Sequence, residues 1–260
     1  MNYTFYKYQG TGNDFVIIDN RDMRFDRTNN ALVAKLCDRR FGIGADGLML
    51  LQTKAGYDFE MVYYNSDGNE SSMCGNGGRC IVAFAHKLGL IKNKARFTAI
   101  DGEHEAVIEN TIVKLKMNDV KGIERNPDFY FLNTGSPHYV AFVKDVEHFN
   151  VFEEGKKIRY NARFKEKGTN VNFIEKKDNH LLVRTYERGV EGETYSCGTG
   201  VTAAAIVAAI ANTFGPVESC NINTLGGNLN VRFHKKTEEE FDNIWLEGPA
   251  TFVFEGSVDV

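Results

Sequence analysis

The sequence predicts an α/β (α+β) protein of two pseudosymmetric halves, each a curled mixed or antiparallel sheet around one buried helix. Three observations carry this. The first is an internal repeat. Thr11-Gly12-Asn13 answers Thr134-Gly135-Ser136, and Cys74-Gly75-Asn76-Gly77 answers Cys197-Gly198-Thr199-Gly200, both at an offset of 123. Gly44-Ala45-Asp46-Gly47-Leu48 answers Gly168-Thr169-Asn170-Val171-Asn172 at 124, and Tyr64-Asn65 answers Tyr186-Glu187 at 122. Four matches in one order at nearly one offset indicate two related halves. The second observation is strand-like alternation through both halves. The third is a pair of apolar segments, one beginning at each Cys-Gly-x-Gly.

Taken in order, residues 2–8, 14–19 and 58–64 alternate or run apolar like strands, and 29–40 read as a helix with Leu32, Val33, Leu36 and Cys37 on one face. Residues 96–117 read as a strand, a turn at Asp101-Gly102 and further strands. In the second half 128–133, 138–144, 170–175, 180–186, 217–223, 227–233 and 242–247 are strand-like. The last strand, Thr251 to Gly256, has no repeat partner and is expected to return to the first half. Ile81 to Ala85 and Val201 to Ile210 are apolar around most of the helical circumference, and a helix without a polar face is buried. The expected halves are 1–118 with 250–260, carrying Cys74, and 119–249, carrying Cys197.

Composition limits the function classes. The 260 residues are 42% hydrophobic and 25% charged, the balance of a soluble globular protein with a sizeable core. A net charge of −4 and the lack of any basic run argue against nucleic acid as a partner. The start lacks the apolar stretch of a signal peptide, and Val201 to Ala211 is too short to span a bilayer. A cytoplasmic location with no membrane partner is therefore expected. Five cysteines at irregular spacing do not form a disulfide framework and read as thiols in a reducing compartment.

Cys74 and Cys197 stand apart from the other three because they share a repeat position and are followed by glycines. Each is expected at a helix amino terminus, where unpaired N–H groups and the dipole favour a thiolate. Inverting a stereocentre needs a base on one face of a carbon and an acid on the other. Two thiols of matched pKa, one ionised and one protonated, supply both and exchange roles on reversal. N–H groups at the two helix starts would stabilise charge developing on a substrate carboxylate. The sequence holds no phosphate-binding loop, dinucleotide fingerprint or zinc-like cysteine pair, so no metal site and no cofactor is expected. A pyridoxal lysine is not excluded by motif, but the two-thiol design does not need one. Cys37, Cys80 and Cys220 read as small buried hydrophobes.

The motifs Asn65-Ser66-Asp67-Gly68, Met73-Cys74-Gly75-Asn76-Gly77-Gly78-Arg79-Cys80, Tyr186-Glu187-Arg188-Gly189 and Cys197-Gly198-Thr199-Gly200 resemble those of the diaminopimelate epimerases. The opening Lys7 to Phe15, the segment Gly42 to Gly47 and the Pro137-His138 pair are similar too, so the resemblance covers essentially the whole chain. It implies interconversion of LL- and meso-diaminopimelate without pyridoxal phosphate or metal, on the route to lysine and peptidoglycan. It implies Cys74 and Cys197 as the acid–base pair, with Gly75, Asn76, Gly198 and Thr199 holding the reacting carboxylate. Asn13, Asn65, Asn170, Glu187 and Arg188 would bind substrate, Arg188 taking the distal carboxylate, and His138 and Glu187 would tune the thiols. A homodimer is compatible with it.

Read without the resemblance, Glu187 and Arg188 fit an exposed charge pair, Asn13 and Asn65 fit turn caps, and His138 fits an ordinary surface histidine. Three departures touch the pocket. Ser136 stands where asparagine is common, Gly47 where some members carry glutamine, and Glu191 is a one-residue expansion. Two rivals follow: a two-thiol racemase of the same fold acting on proline, hydroxyproline or histidine, and a thiol redox module. Asn76 after Cys74-Gly75, in place of histidine, and the Glu187-Arg188 pair weigh against the first. The absence of a C-x-x-C weighs against the second.

Overall fold

The computed structural model describes residues 1–260. Its contacts divide the chain into two compact units, Met1–Leu115 with Gly248–Val260, and Lys116–Glu247.

In the first unit, β1 (Asn2–Gly10) and β2 (Asn13–Asp19) form an antiparallel hairpin with Gly10 opposite Asn13. Its two turn residues, Thr11 and Gly12, both have positive φ (51° and 84°), the twist that a two-residue hairpin demands. After α1 (Asn30–Cys37), β3 (Gly47–Gln52) runs parallel to β2, and β4 (Phe59–Asn65) runs antiparallel to β3. The short β5 (Glu70–Ser71) adds to β4, and α2 (Gly75–Lys87) leads to β6 (Lys94–Ala99), parallel to β4. Antiparallel β7 (Gly102–Glu109) and β8 (Ile112–Lys116) follow.

Each parallel pair needs a crossover, and a helix supplies it. The two helices cover opposite faces of the sheet. Val16, Ile18, Leu48, Leu50, Val62 and Tyr64 pack with Val33 and Leu36 of α1. The alternate residues Phe15, Met49 and Met61 lie beneath Gly77 of α2, where an added Cβ would stand 3.3–3.5 Å from them. Strands covered on both faces carry continuous apolar runs, which is why Gly47–Gln52 lacks any strand-like alternation in the sequence.

The second unit repeats this pattern. Short β9 (Val120–Lys121) and β10 (Glu124–Arg125) precede β11 (Tyr130–Asn133) and β12 (Pro137–Phe142), an antiparallel pair. α3 (Val151–Arg159) carries the chain to β13 (Asn170–Lys177), parallel to β12, and β14 (His180–Glu187) returns antiparallel. Then come β15 (Gly192–Thr194), α4 (Gly198–Ile210), β16 (Ser219–Thr224) parallel to β14, β17 (Gly227–Lys235) and β18 (Glu240–Pro249). The registers agree as well: His138 faces Asn170 where Phe15 faces Gly47. The final strand β19 (Thr251–Asp259) pairs antiparallel with β1, as its lack of a repeat partner suggested.

α4 shows why such a segment must be interior. Every residue from Val201 to Val207 is fully buried, and the one hydroxyl, on Thr202, donates to the Gly198 carbonyl at 2.9 Å. Burying Val201, Ile206 and Val207 contributes about 1.5–3 kcal/mol each. α3 was not expected from the sequence. Gly155 interrupts its pattern, and packing explains the glycine: a Cβ there would lie 2.4 Å from that of Tyr186. Asn150 caps the helix by accepting from Glu153 N, with Glu153 and Glu154 in its first turn and Lys156, Lys157 and Arg159 in its last.

Candidate functional site

In the first unit Cys74 is the N-cap of α2, with extended backbone (φ −90°, ψ 131°) and no side-chain capping bond. The N–H groups of Gly75 and Asn76 fall in the first turn, where the helix offers them no acceptor. Asn13, at the start of β2, is oriented by Asp46, which accepts from its Nδ2 at 2.6 Å. That leaves Asn13 Oδ1 3.6 Å from Cys74 Sγ and 3.3 Å from Asn76 Nδ2. Asp46 is held in turn by Arg39 at 2.7 Å, and Asp14 lies between Lys7 and Arg39 at 2.6 Å from each. Burial raises the Asp14 pKa, but hydrogen bonds from Arg39 and Lys7 outweigh it and hold the carboxyl at about 2. Asn65, exposed at the end of β4, pairs with Gly47 at the start of β3. Gly47 has no room for a side chain, since a Cβ would lie 2.6 Å from both the Tyr63 ring and the Tyr64 carbonyl oxygen.

Beneath the α2 start lies Arg79, fully buried. It donates to Asn76 Oδ1 (3.1 Å), Thr11 Oγ1 (3.2 Å), Gly75 O (3.3 Å) and Pro249 O (3.4 Å), with no carboxylate among its partners. Burial pushes its pKa down, and the Cys80 and Cys74 thiols act in the opposite sense. An arginine keeps its charge even so. The sequence named Arg79 only as part of a motif. Its buried charge fixes the amide of Asn76 and the carbonyl of Gly75.

In the second unit Cys197 is the N-cap of α4 (φ −119°, ψ 114°), with its sulfur 3.6 Å from Thr199 Oγ1. His138, on β12, is fully buried rather than at the surface. Its Nε2 lies 2.9 Å from Thr199 Oγ1, and its Nδ1 lies 3.1 Å from Asn172 Nδ2. Burial, and then the charge of Arg188, push its pKa down to about 3. Asn170 donates to Ser136 Oγ at 3.0 Å and accepts from the Arg188 backbone N–H at 2.8 Å. The exposed Arg188 guanidinium donates to Lys167 O (3.0 Å) and Ser136 Oγ (3.4 Å). Gly168 leaves space for it, because a Cβ there would lie 2.5 Å from Arg188 Cδ. Glu187 accepts from the Thr194 hydroxyl at 2.9 Å.

Two of the departures noted in the sequence thus have structural work to do. Ser136 joins Asn170 to Arg188. Glu191, at φ 54°, accepts from Gly189 N, Arg159 Nε and the Tyr160 and Tyr186 hydroxyls, which pins the turn after Arg188 onto α3.

The expected site residues therefore gather as two related clusters. One holds Cys74, Gly75, Asn76 and Asn13; the other holds Cys197, Gly198, Thr199, His138, Asn170 and Arg188. Asn65 and Glu187 sit at equivalent strand ends, β4 and β14. Arg79 belongs with the first cluster and Asn172 and Thr185 with the second, and none of the three was singled out in the sequence. No group of three or more His, Cys, Asp or Glu side chains is arranged to hold a metal ion. No helix is long and apolar enough to cross a membrane.

A sequence profile of the family described as Diaminopimelate epimerase matches residues 5–121 and 130–253. A protein named diaminopimelate epimerase from Flavobacterium psychrophilum is 54% identical over 257 residues, covering 97% of this chain and 99% of that one. One of the same name from Chlorobaculum tepidum is 42% identical, over 96% of this chain and 98% of that one. Among solved structures, a PhzF-family phenazine biosynthesis protein from Bacillus anthracis aligns over 100% of both chains with a TM-score of 0.77 at 14% identity. A hydroxyproline epimerase from Agrobacterium vitis aligns over 99% of this chain and 92% of that one, with a TM-score of 0.72 at 12% identity. At such identities these two likenesses speak for the fold.

Proposed function

The chain belongs to the diaminopimelate epimerase family, and on that premise we propose that it interconverts LL- and meso-diaminopimelate by a two-thiol acid–base reaction that uses neither pyridoxal phosphate nor metal. The observation that carries the reading is the doubled N-cap cysteine. Cys74 and Cys197 precede helices of 13 residues each, at corresponding places in two units of one pattern.

In the proposed reaction one cysteine, as thiolate, takes the α-proton, and the other, as thiol, delivers a proton to the opposite face of the same carbon. The reverse direction exchanges the roles. The helix starts at Gly75-Asn76 and Gly198-Thr199 hold the α-carboxylate and stabilise the charge that develops as the proton leaves. Arg188, steadied by Ser136 and Lys167, pairs with the distal carboxylate. Asn13, Asn65, Asn170 and Glu187 bind the remaining polar groups, and His138 and Glu187 tune Cys197. A cytoplasmic location is part of the proposal, because the reaction needs reduced thiols and a reducing compartment keeps them so.

The test is exchange in deuterium oxide with LL-diaminopimelate, beside lysine, proline and histidine. Deuterium is expected at the α-carbon of diaminopimelate together with formation of the meso isomer, and Cys74→Ala or Cys197→Ala should each abolish the interconversion. Exchange into lysine, proline or histidine in preference to diaminopimelate would overturn the substrate assignment.

A further inference from the structure

The hydrogen bonds around His138 form a chain whose direction is fixed at its far end. Thr185 Oγ1 lies 2.9 Å from Asn172 Oδ1, and Asn172 Nδ2 donates to the Tyr139 carbonyl at 2.9 Å. Asn172 is fully buried, so both ends of its amide are set by these partners. Its Nδ2 therefore presents a hydrogen to His138 Nδ1 at 3.1 Å, and a nitrogen that accepts cannot carry a proton. The ring proton belongs on Nε2, where Thr199 Oγ1 stands at 2.9 Å to accept it. Asn170 Nδ2, 3.5 Å from Nε2, does not compete, since Ser136 Oγ and the Pro137 carbonyl take its hydrogens at 3.0 and 3.3 Å. With its oxygen engaged by Nε2–H, the Thr199 hydroxyl turns its own hydrogen elsewhere, and Cys197 Sγ is 3.6 Å away.

We propose that Asn172, anchored by Thr185, is a positioning residue: it locks His138 as the neutral Nε2–H tautomer and thereby aims the Thr199 hydroxyl at the Cys197 sulfur. His138 is then a hydrogen-bond donor in the chain, not the base that takes a proton from the thiol. The charge of Arg188 disfavours the imidazolium, as burial does. A hydroxyl donating to sulfur stabilises the thiolate over the thiol. The inference rests on Cys197 as a reacting thiol, but its tests use no substrate. A chain without epimerase activity can pass them, and an active one can fail them.

The first test is imidazole ¹⁵N NMR of the unaltered protein between pH 5.5 and 8.5. His138 should show a protonated Nε2 and an unprotonated Nδ1 throughout. An Nδ1–H tautomer, or an imidazolium anywhere in that window, overturns the proposal. The second test is Asn172→Asp, which offers only acceptors and so places the ring proton on Nδ1. Nε2 then accepts from Thr199, and the hydroxyl leaves the sulfur. Alkylation of Cys197, followed by peptide mass mapping against pH above neutrality, should show about tenfold less thiolate, a midpoint raised by about one pH unit. A variant that melts earlier but keeps the unaltered alkylation profile gives Asn172 a structural role alone and refutes the relay.

Discussion

Arg79 is a demanding test of how the α2 terminus is built. In Arg79→Leu the guanidinium is lost from four acceptors at 3.1–3.4 Å. Thr11 keeps a rotatable hydroxyl, and Gly75 O keeps the helical N–H four residues on. Asn76 Oδ1, in a fully buried residue, and Pro249 O, in a half-buried one, each lose the Arg79 donor, at about 1–3 kcal/mol for the first and about 1 kcal/mol for the second. The total is about 3 kcal/mol. For a chain of this size it corresponds to a fall in Tm of about 6–12 °C, read by circular dichroism at pH 7. Arg79→Lys retains the charge but reaches fewer acceptors and should fall between. An Arg79→Leu protein that melts within about 3 °C of the unaltered one, under 2 kcal/mol on that scale, refutes the claim that this buried cation organises the terminus.

Four further outcomes are expected. Asp14, held at about 2 against an unfolded value of about 3.9, contributes stability that is present above pH 4 and lost as pH falls through 2. Allowing for solvent screening, Asp14→Asn should cost about 1 kcal/mol at pH 7 and progressively less as pH falls from 4 through 2; a cost independent of pH would disprove the ion-pair account. Gly47→Gln should cost about 1–3 kcal/mol, seen as a lower urea midpoint, because Tyr64 O cannot move aside, and an unchanged midpoint would show that β3 yields. Arg188→Ala should reduce turnover of diaminopimelate far more than α-proton exchange in amino acids lacking a second carboxylate, whereas equal losses would mark a structural arginine. Air-inactivated protein should yield a Cys74–Cys197 disulfide on mass mapping and recover with reductant. Cys37, Cys80 and Cys220, whose thiols burial pushes up to about 12, should stay unmodified, and inactivation that leaves positions 74 and 197 unoxidised refutes the pairing.

The repeat made the architecture legible because equivalent turns need equivalent residues. Cys-Gly-x-Gly opens a helix of 13 residues in each unit, and Gly44 and Gly168 both take positive φ (82° and 74°). Buried helices were legible from the lack of a polar face. β3 was not, since burial on both sides erases the period of two, and α3 was hidden by Gly155, although its cap Asn150 and its acid-to-base order were there to be read. Around the cysteines, sequence motifs pointed to residues that touch one another. They said nothing about Asn172 and Thr185, whose importance comes from which amide atom faces which ring nitrogen. Without the resemblance His138 fits a surface residue, and only the pairing of β12 with β13 puts it beside Asn172. Arg79 had the same difficulty: a cation without a carboxylate partner has no recognisable spacing.

The pairing of β19 with β1 has a bearing on synthesis. The second unit is contiguous, so all of it has left the ribosome once residue 247 and a short tail have emerged. The first unit begins earlier but waits longer, because the strand beside β1 is translated after the whole of the second unit. Until then β1 presents an open edge with Tyr3, Phe5 and Tyr8 along it, an invitation to stray pairing that nascent chains generally need guarding against. A chain cut back to residue 247 should therefore keep a folded second unit attached to a first one exposed to protease.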